Sequence, residues 1–314
     1  MAGDPHDPPP RGWAGVRAVA RLTGAELFRD RVTGLAAEAA FFALLSLPPL
    51  VLGLVGTIGY FRGLVGADTI TQIRENVLAV ARHALSDQAV DQVLRPTLEE
   101  VFAGGRPDVV SVGFLLSLWS GSRALHVYVD VLTVSYGLSG HRSIVRTRAL
   151  SFGLYVAAVL VGVVVVPLLL AGPDLVGLLA NSAAARDVAR VAYWPFVALV
   201  SVASLTTLYH LAVPVRTPWV NNLPGALAAL PIWLLGSWLA RRYLEATVSV
   251  DSTYGSLAAP VAVLLWLYVT ALAVLVGAEL NAAIDEIWPS PATAAARRRP
   301  PPHPSAHELS LRHK

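Results

Sequence analysis

The chain has 314 residues, 55% of them hydrophobic and 14% charged, with a net charge of +3 and a mean hydropathy of +0.57. A soluble domain carries about 25% charged residues, so this chain lacks the charge to coat a water-facing globule of its size. That excludes a large soluble catalytic domain, and the absence of cysteine excludes disulfides, iron–sulfur clusters and a thiol nucleophile.

In chain order, residues 1–11 are polar and Pro-rich and read as a disordered tail. The first long apolar run begins near Leu35, too deep for a cleaved signal, so targeting is expected through an uncleaved first span. Residues 12–33 read as an amphipathic helix. Trp13, Val16, Ala20 and Leu27 recur at helical spacing, with Arg17 and Arg21 opposite. Such a helix either lies in the inner membrane interface, held by anionic lipid, or packs on the bundle as a water-exposed helix.

Six apolar stretches follow, at about 35–60, 109–135, 149–171, 191–213, 223–240 and 255–284. Each is near or above the roughly 20 helical residues that cross a bilayer. The expected fold is all-α, a polytopic membrane helix bundle over residues 12–288. Only helices satisfy their own backbone in lipid, so Pro48, Pro49, Pro167 and Pro231 predict kinks rather than strands.

Between the first two spans lies an outer loop of about 61–108. Ile70, Ile73, Val77, Val80 and Ala81 form one apolar stripe, and Val90, Val93, Leu94, Leu98 and Val101 form another. Two amphipathic helices are expected there, capping the bundle or docking a partner. Residues 289–314 read as a disordered basic cytoplasmic tail, with Arg297, Arg298 and Arg299 as an inner-leaflet anchor rather than an RNA patch.

Placing both termini inside puts fourteen Lys and Arg residues on inner segments and nine on outer ones. This bias predicts an N-in, C-in chain with an even number of spans.

The stretches Phe41–Leu50 (FFALLSLPPL) and Leu118–Leu125 (LWSGSRAL) are distinctive. So are Pro224-Gly225, Tyr254-Gly255-Ser256, Trp266-Leu267-Tyr268 and Gly277-Ala278-Glu279-Leu280-Asn281. In this order they resemble the YihY/BrkB family of bacterial membrane proteins, once labelled ribonuclease BN, over about residues 12–285. The resemblance implies six helical spans with cytoplasmic ends, in the bacterial cytoplasmic membrane. It implies no enzyme: the ribonuclease label is regarded as a misassignment, and members are otherwise described as transporters or virulence-linked proteins. Glu38 departs from the apolar or small residues of many members.

A charge within a span costs about 2.5–3.5 kcal/mol on insertion scales. In the second span Trp119, Arg123, His126 and Asp130 follow at spacings that place them along one helical face. They form either a polar stripe facing a substrate path or a set of interhelical contacts. In the sixth span Glu279 shares a face with Tyr268, with Asn281 near the inner end. An Arg123–Glu279 pair would fix span two against span six. Glu38 opens the first span, and His210 sits near the inner end of the fourth as an interface anchor. Gly53, Gly56, Gly59, Gly121, Gly236 and Gly277 are positions for close helix approach. Asp251, Ser252 and Tyr254 precede the sixth span, as helix cap or as a site for an anionic headgroup.

No Walker loop, dinucleotide loop or HExxH motif is present, and the eight histidines are scattered, so neither cofactor nor metal is expected. The function read from these residues is transport or flipping of a lipid or other amphiphile. A non-catalytic scaffold for envelope proteins is the alternative, and a ribonuclease comes last. Membrane lipids are the expected partners, with a second copy of the chain or an envelope protein beside them, and no nucleic acid.

Overall fold

The computed structural model describes residues 12–60, 71, 75, 78, 95, 96, 107–178, 183–248 and 255–299, and all regular structure among them is helical. Helix α1 covers Trp13–Arg29, α2 Val32–Tyr60, α3 Pro107–Ser135, α4 Ile144–Leu178 and α5 Ala183–Ala212. A 3-10 turn over Trp219–Asn222 leads into α6, Leu223–Val248. Then come α7, Gly255–Ile287, and a short α8, Pro291–Arg297. The expected outer-loop stripes lie almost wholly outside the described residues, as do Asp251, Ser252 and Tyr254.

Five helices among the described residues are long and apolar enough to cross a membrane, over Val32–Val51, Ile144–Gly162, Val191–Ala212, Trp219–Tyr243 and Pro260–Ile287. They coincide with five of the six expected stretches. The remaining stretch is α3, a 29-residue helix, where serines together with Arg123 and His126 dilute the apolar run. Helices α2 and α6 continue through Pro48, Pro49 and Pro231.

The chain forms two compact units, Met1–Ala36 with Leu125–Leu234 and Leu272–Lys314, and Ala37–Ala124 with Leu235–Ala271. The core of the first is built from Val129, Leu132 and Tyr136 of α3 and its end, Val202 and Tyr209 of α5, and the small residues Ala226, Ala278 and Ala282. Alanines let helix backbones approach closely, which is how packing is gained where burial against lipid offers little driving force. Tyr209 is fully buried and donates its hydroxyl to the Val274 carbonyl at 2.7 Å.

The tightest contact of this unit joins two of the motifs quoted above. A Cβ on Gly225 would collide with the Gly277 carbonyl and the Asn281 side chain. A Cβ on Gly277 would come to 2.5 Å from the Gly225 carbonyl and the Tyr209 hydroxyl. Asn281 Oδ1 accepts the Gly225 amide at 2.7 Å, and Asn281 Nδ2 donates to the Asn222 carbonyl at 3.0 Å. The Gly225 amide, one of the N–H groups at the start of α6 that lack a partner within the helix, is thus satisfied by a side chain of α7.

Arg142 does the same at the other end of a helix. Its guanidinium donates to the carbonyls of Leu211, Ala212 and Val213 at 3.0–3.3 Å, closing α5. Burial lowers its pKa from the ordinary value. In α1 the buried face is Gly15, Val19, Thr23 and Glu26. The stripe Trp13, Val16 and Ala20 is left exposed, with Phe28, Arg17 and Arg21 exposed as well.

The structure corrects the expected disordered tail over 289–299, the rest of which lies outside the described residues. Ser290 caps α8 by accepting the Thr293 amide at 3.2 Å, with Pro291 in its first turn. Arg297 then reaches back to Asp285 Oδ2 at 2.9 Å and to the Tyr136 carbonyl at 2.9 Å. The basic residues over 297–299 therefore include a structural clamp.

In the second unit, Gly53 of α2 faces Phe114 of α3, and Gly236 of α6 faces Val269 of α7. Each lacks the Cβ that would press into that neighbour.

Candidate functional site

The expected site residues fall into two groups. In the second unit, Glu38 and Phe42 stand one turn apart on α2, and Trp119 and Arg123 stand one turn apart on α3. Residues four apart share a helix face, so the two pairs meet rung by rung. Arg123 Nη2 lies 3.6 Å from Glu38 Oε1, and the Phe42 and Trp119 rings meet edge to face at 6.4 Å. The Arg123 guanidinium also covers the Phe42 ring, 5.4 Å from its centroid, an attraction that grows as water is removed.

Arg123 is thus matched with Glu38, in place of the Glu279 expected from the sequence. The pair is not sealed: the side chains are 36% and 39% exposed. Arg123 Nε is buried with no hydrogen-bond partner. At 3.6 Å the ion pair is loose, and a partly exposed pair contributes little stability. The guanidinium keeps unused donor capacity, which suits an anionic or polar ligand.

Beside Glu38 opens a cleft of about 340 Å³ between α2 and α7, lined by Ala37, Ala40, Phe41, Val261, Leu264, Leu265 and Tyr268. Six of the seven lining residues are apolar and Tyr268 supplies a hydroxyl-bearing ring. Ala37 and Phe41 flank Glu38 in sequence, so the charged pair and the apolar cleft share α2.

The second group belongs to the first unit. Glu279 is fully buried, and its Oε1 accepts the Ser135 hydroxyl at 2.8 Å. Its Oε2 is buried without a partner. Glu26 of α1 is buried also, paired through Oε1 with Arg29 at 3.0 Å. Burial pushes the Glu26 carboxyl above its ordinary range, Glu286 adds to this, and Arg29 opposes it. His126 is half-buried and Asp130 exposed on α3.

Glu26 was missed from sequence because it stands in a polar-rich helix outside the spans, where a glutamate reads as solvated. Its alignment with Gly15, Val19 and Thr23 was the available signal. Glu38 was seen, yet its partner on another helix follows from helix crossing, which spacing within one helix does not report.

Residues 24–302 match the family model Virulence factor BrkB. The chain is 25% identical over 254 residues to a ribonuclease-like protein, YfkH, of Bacillus subtilis, covering 80% of this chain and 89% of that one. It is 25% identical over 264 residues to a UPF0761 membrane protein of Photobacterium profundum, covering 82% and 77%. A UPF0761 membrane protein of Cronobacter sakazakii is 27% identical over 281 residues, covering 85% and 88%. No solved structure matches the chain.

Proposed function

This chain belongs to the virulence factor BrkB family, a family of multi-pass membrane proteins, and on that premise we propose that it moves a lipid or another amphiphile across or within the bacterial cytoplasmic membrane. The observation that carries the reading is Arg123. It is a costly charge on an apolar helix, loosely matched by Glu38, with a buried Nε free of partners, and the helix that carries Glu38 also lines an apolar cleft. A purely structural arginine would be expected in a closer and more fully bonded pair.

In this reading Arg123 binds the headgroup, Glu38 releases the guanidinium when the headgroup arrives, and the cleft by Tyr268 takes an apolar chain. The test is translocation of a fluorescent phospholipid in proteoliposomes, read by quenching from outside. Loss of a charge-assisted hydrogen bond is worth about 1.5–3 kcal/mol, so Arg123→Ala is expected to slow translocation about 10- to 100-fold. Translocation at the wild-type rate by Arg123→Ala overturns the anchor. Protein-free rates from the wild-type protein overturn the transport reading altogether. Specific cleavage of transfer-RNA precursors by the same purified protein would replace it with the activity that the Bacillus relative's name evokes.

A further inference from the structure

Among the described residues, two buried acids of the first unit, Glu26 on α1 and Glu279 on α7, are left with unexplained chemistry. Glu279 is 0% exposed and Glu26 is 2% exposed, and each carries one buried carboxyl oxygen, Oε2, with no hydrogen-bond partner. Thr23, one turn before Glu26, has a buried hydroxyl in the same condition, as does Asp30 at one carboxyl oxygen. The charged groups acting on Glu279 are Asp30, Glu26 and Arg29, and Glu286 acts in turn on Glu26. Against these carboxyls stands Arg29, whose side chain is 67% exposed and therefore screened by solvent.

An ionised carboxylate buried with an empty acceptor costs several kcal/mol. Something must neutralise one of them. A metal ion would need at least three suitably placed ligands, and among the described residues no group of three His, Cys, Asp or Glu is arranged to hold one. A proton needs no such shell, and it turns an orphaned acceptor into a donor.

We infer that Glu279 and Glu26 form a proton-binding site in which at least one of the two buried carboxyls is protonated at neutral pH, and that this proton exchanges as the amphiphile moves. The O–H bond forms at a carboxyl oxygen with a proton taken from water, and it breaks when water takes the proton back. Exchange during movement rests on the function proposed above, whereas the resident proton does not. Ser135 stands 2.8 Å from both Glu279 Oε1 and the Val131 carbonyl, and its single hydroxyl hydrogen serves one of them at a time.

The experiment is infrared difference spectroscopy of the purified full chain in detergent across a pH titration. The wild type is expected to show a protonated-carboxyl C=O band that is lost on raising the pH within about 5–9, the span that buried carboxyls reach. Glu279→Gln keeps an acceptor for Ser135 and is expected to lose the band, or to shift its midpoint if the proton rests on Glu26. Glu26→Gln, in a separate helix, gives the complementary loss or shift. Absence of a titrating band in the wild type overturns the site, and so does the same band at the same midpoint in both variants. A wild type that shows the band yet translocates lipid at rates indifferent to a pH gradient overturns the exchange step. Absence of translocation with the band intact fails the transport reading and not the proton site.

Discussion

Asn281 accepts the backbone amide of Gly225 at 2.7 Å, and the same side chain donates to the Asn222 carbonyl at 3.0 Å. One amide group on α7 therefore closes the entry to α6. Two motifs 56 residues apart are two halves of a single contact, since Gly225 and Gly277 must both lack a side chain for Asn281 to reach in.

Replacing Asn281 tests that closure. Asn281→Leu fills similar space but leaves the buried Gly225 N–H without its acceptor, at about 1–3 kcal/mol, and removes the bond to the Asn222 carbonyl. The thermal unfolding midpoint in detergent is expected to fall by several degrees. Asn281→Asp retains the acceptor for Gly225 and loses the donor to Asn222, so its midpoint should lie no higher than wild type. A midpoint unchanged in Asn281→Leu would show that the closure contributes nothing.

The glycines provide a contrast within one molecule. Gly225→Ala and Gly277→Ala each place a methyl group against backbone that has nowhere to go, and overpacking of this kind costs about 1–3 kcal/mol or more. Gly153→Ala and Gly162→Ala, on α4, meet nothing within 4 Å. Removing a helical glycine there is expected to stabilise by about 0.5–1 kcal/mol. Unfolding midpoints should separate the pairs in opposite directions, and equal effects at all four positions would refute the close contact.

The helices were legible because length and apolar character over Val32–Val51, Ile144–Gly162 or Pro260–Ile287 are local properties. The Gly-Ala-Glu-Leu-Asn motif was legible as a motif, but its work was not. Gly277 meets Gly225, Glu279 meets Ser135 and Asn281 meets the start of α6 only after distant segments come together. Arg123 stands out in the sequence as a charge within an apolar stretch, but its pairing with Glu38 arises through the crossing of α2 and α3, which spacing along one helix does not report. At 289–299 the Pro, Ala and Arg composition reads as disorder, while Ser290 followed by Pro291 was a local helix-start signal that outweighs composition.

Asp285 holds that last helix in place. Its Oδ1 accepts the Ser290 amide at 3.1 Å and the Thr293 hydroxyl at 2.9 Å, and its Oδ2 takes Arg297 at 2.9 Å. Arg297→Ala leaves the largely buried Asp285 charge without its cation, a change of about 1–3 kcal/mol. Limited proteolysis is expected to cut within residues 288–300 faster in Arg297→Ala than in wild type, with Arg298→Ala as the control. Identical cleavage rates for the two variants would show that the clamp does not order this segment.

Glu26 predicts a pH dependence with a definite sign. Burial raises its pKa above the ordinary value of 4.5, with Glu286 adding to the shift and Arg29 opposing it. The folded chain therefore binds the Glu26 proton more tightly than the unfolded chain does, and unfolding releases it. The associated stability is present in full below pH 4.5 and is lost as the pH rises through the folded value. Glu26→Gln cannot titrate, so its unfolding midpoint should fall less than that of wild type between acid and neutral pH. Arg29→Ala removes the opposing cation and should move the wild-type loss to higher pH. Parallel midpoint curves for wild type and Glu26→Gln would mean that this carboxyl titrates alike in the folded and unfolded chain, and that its burial carries no electrostatic cost.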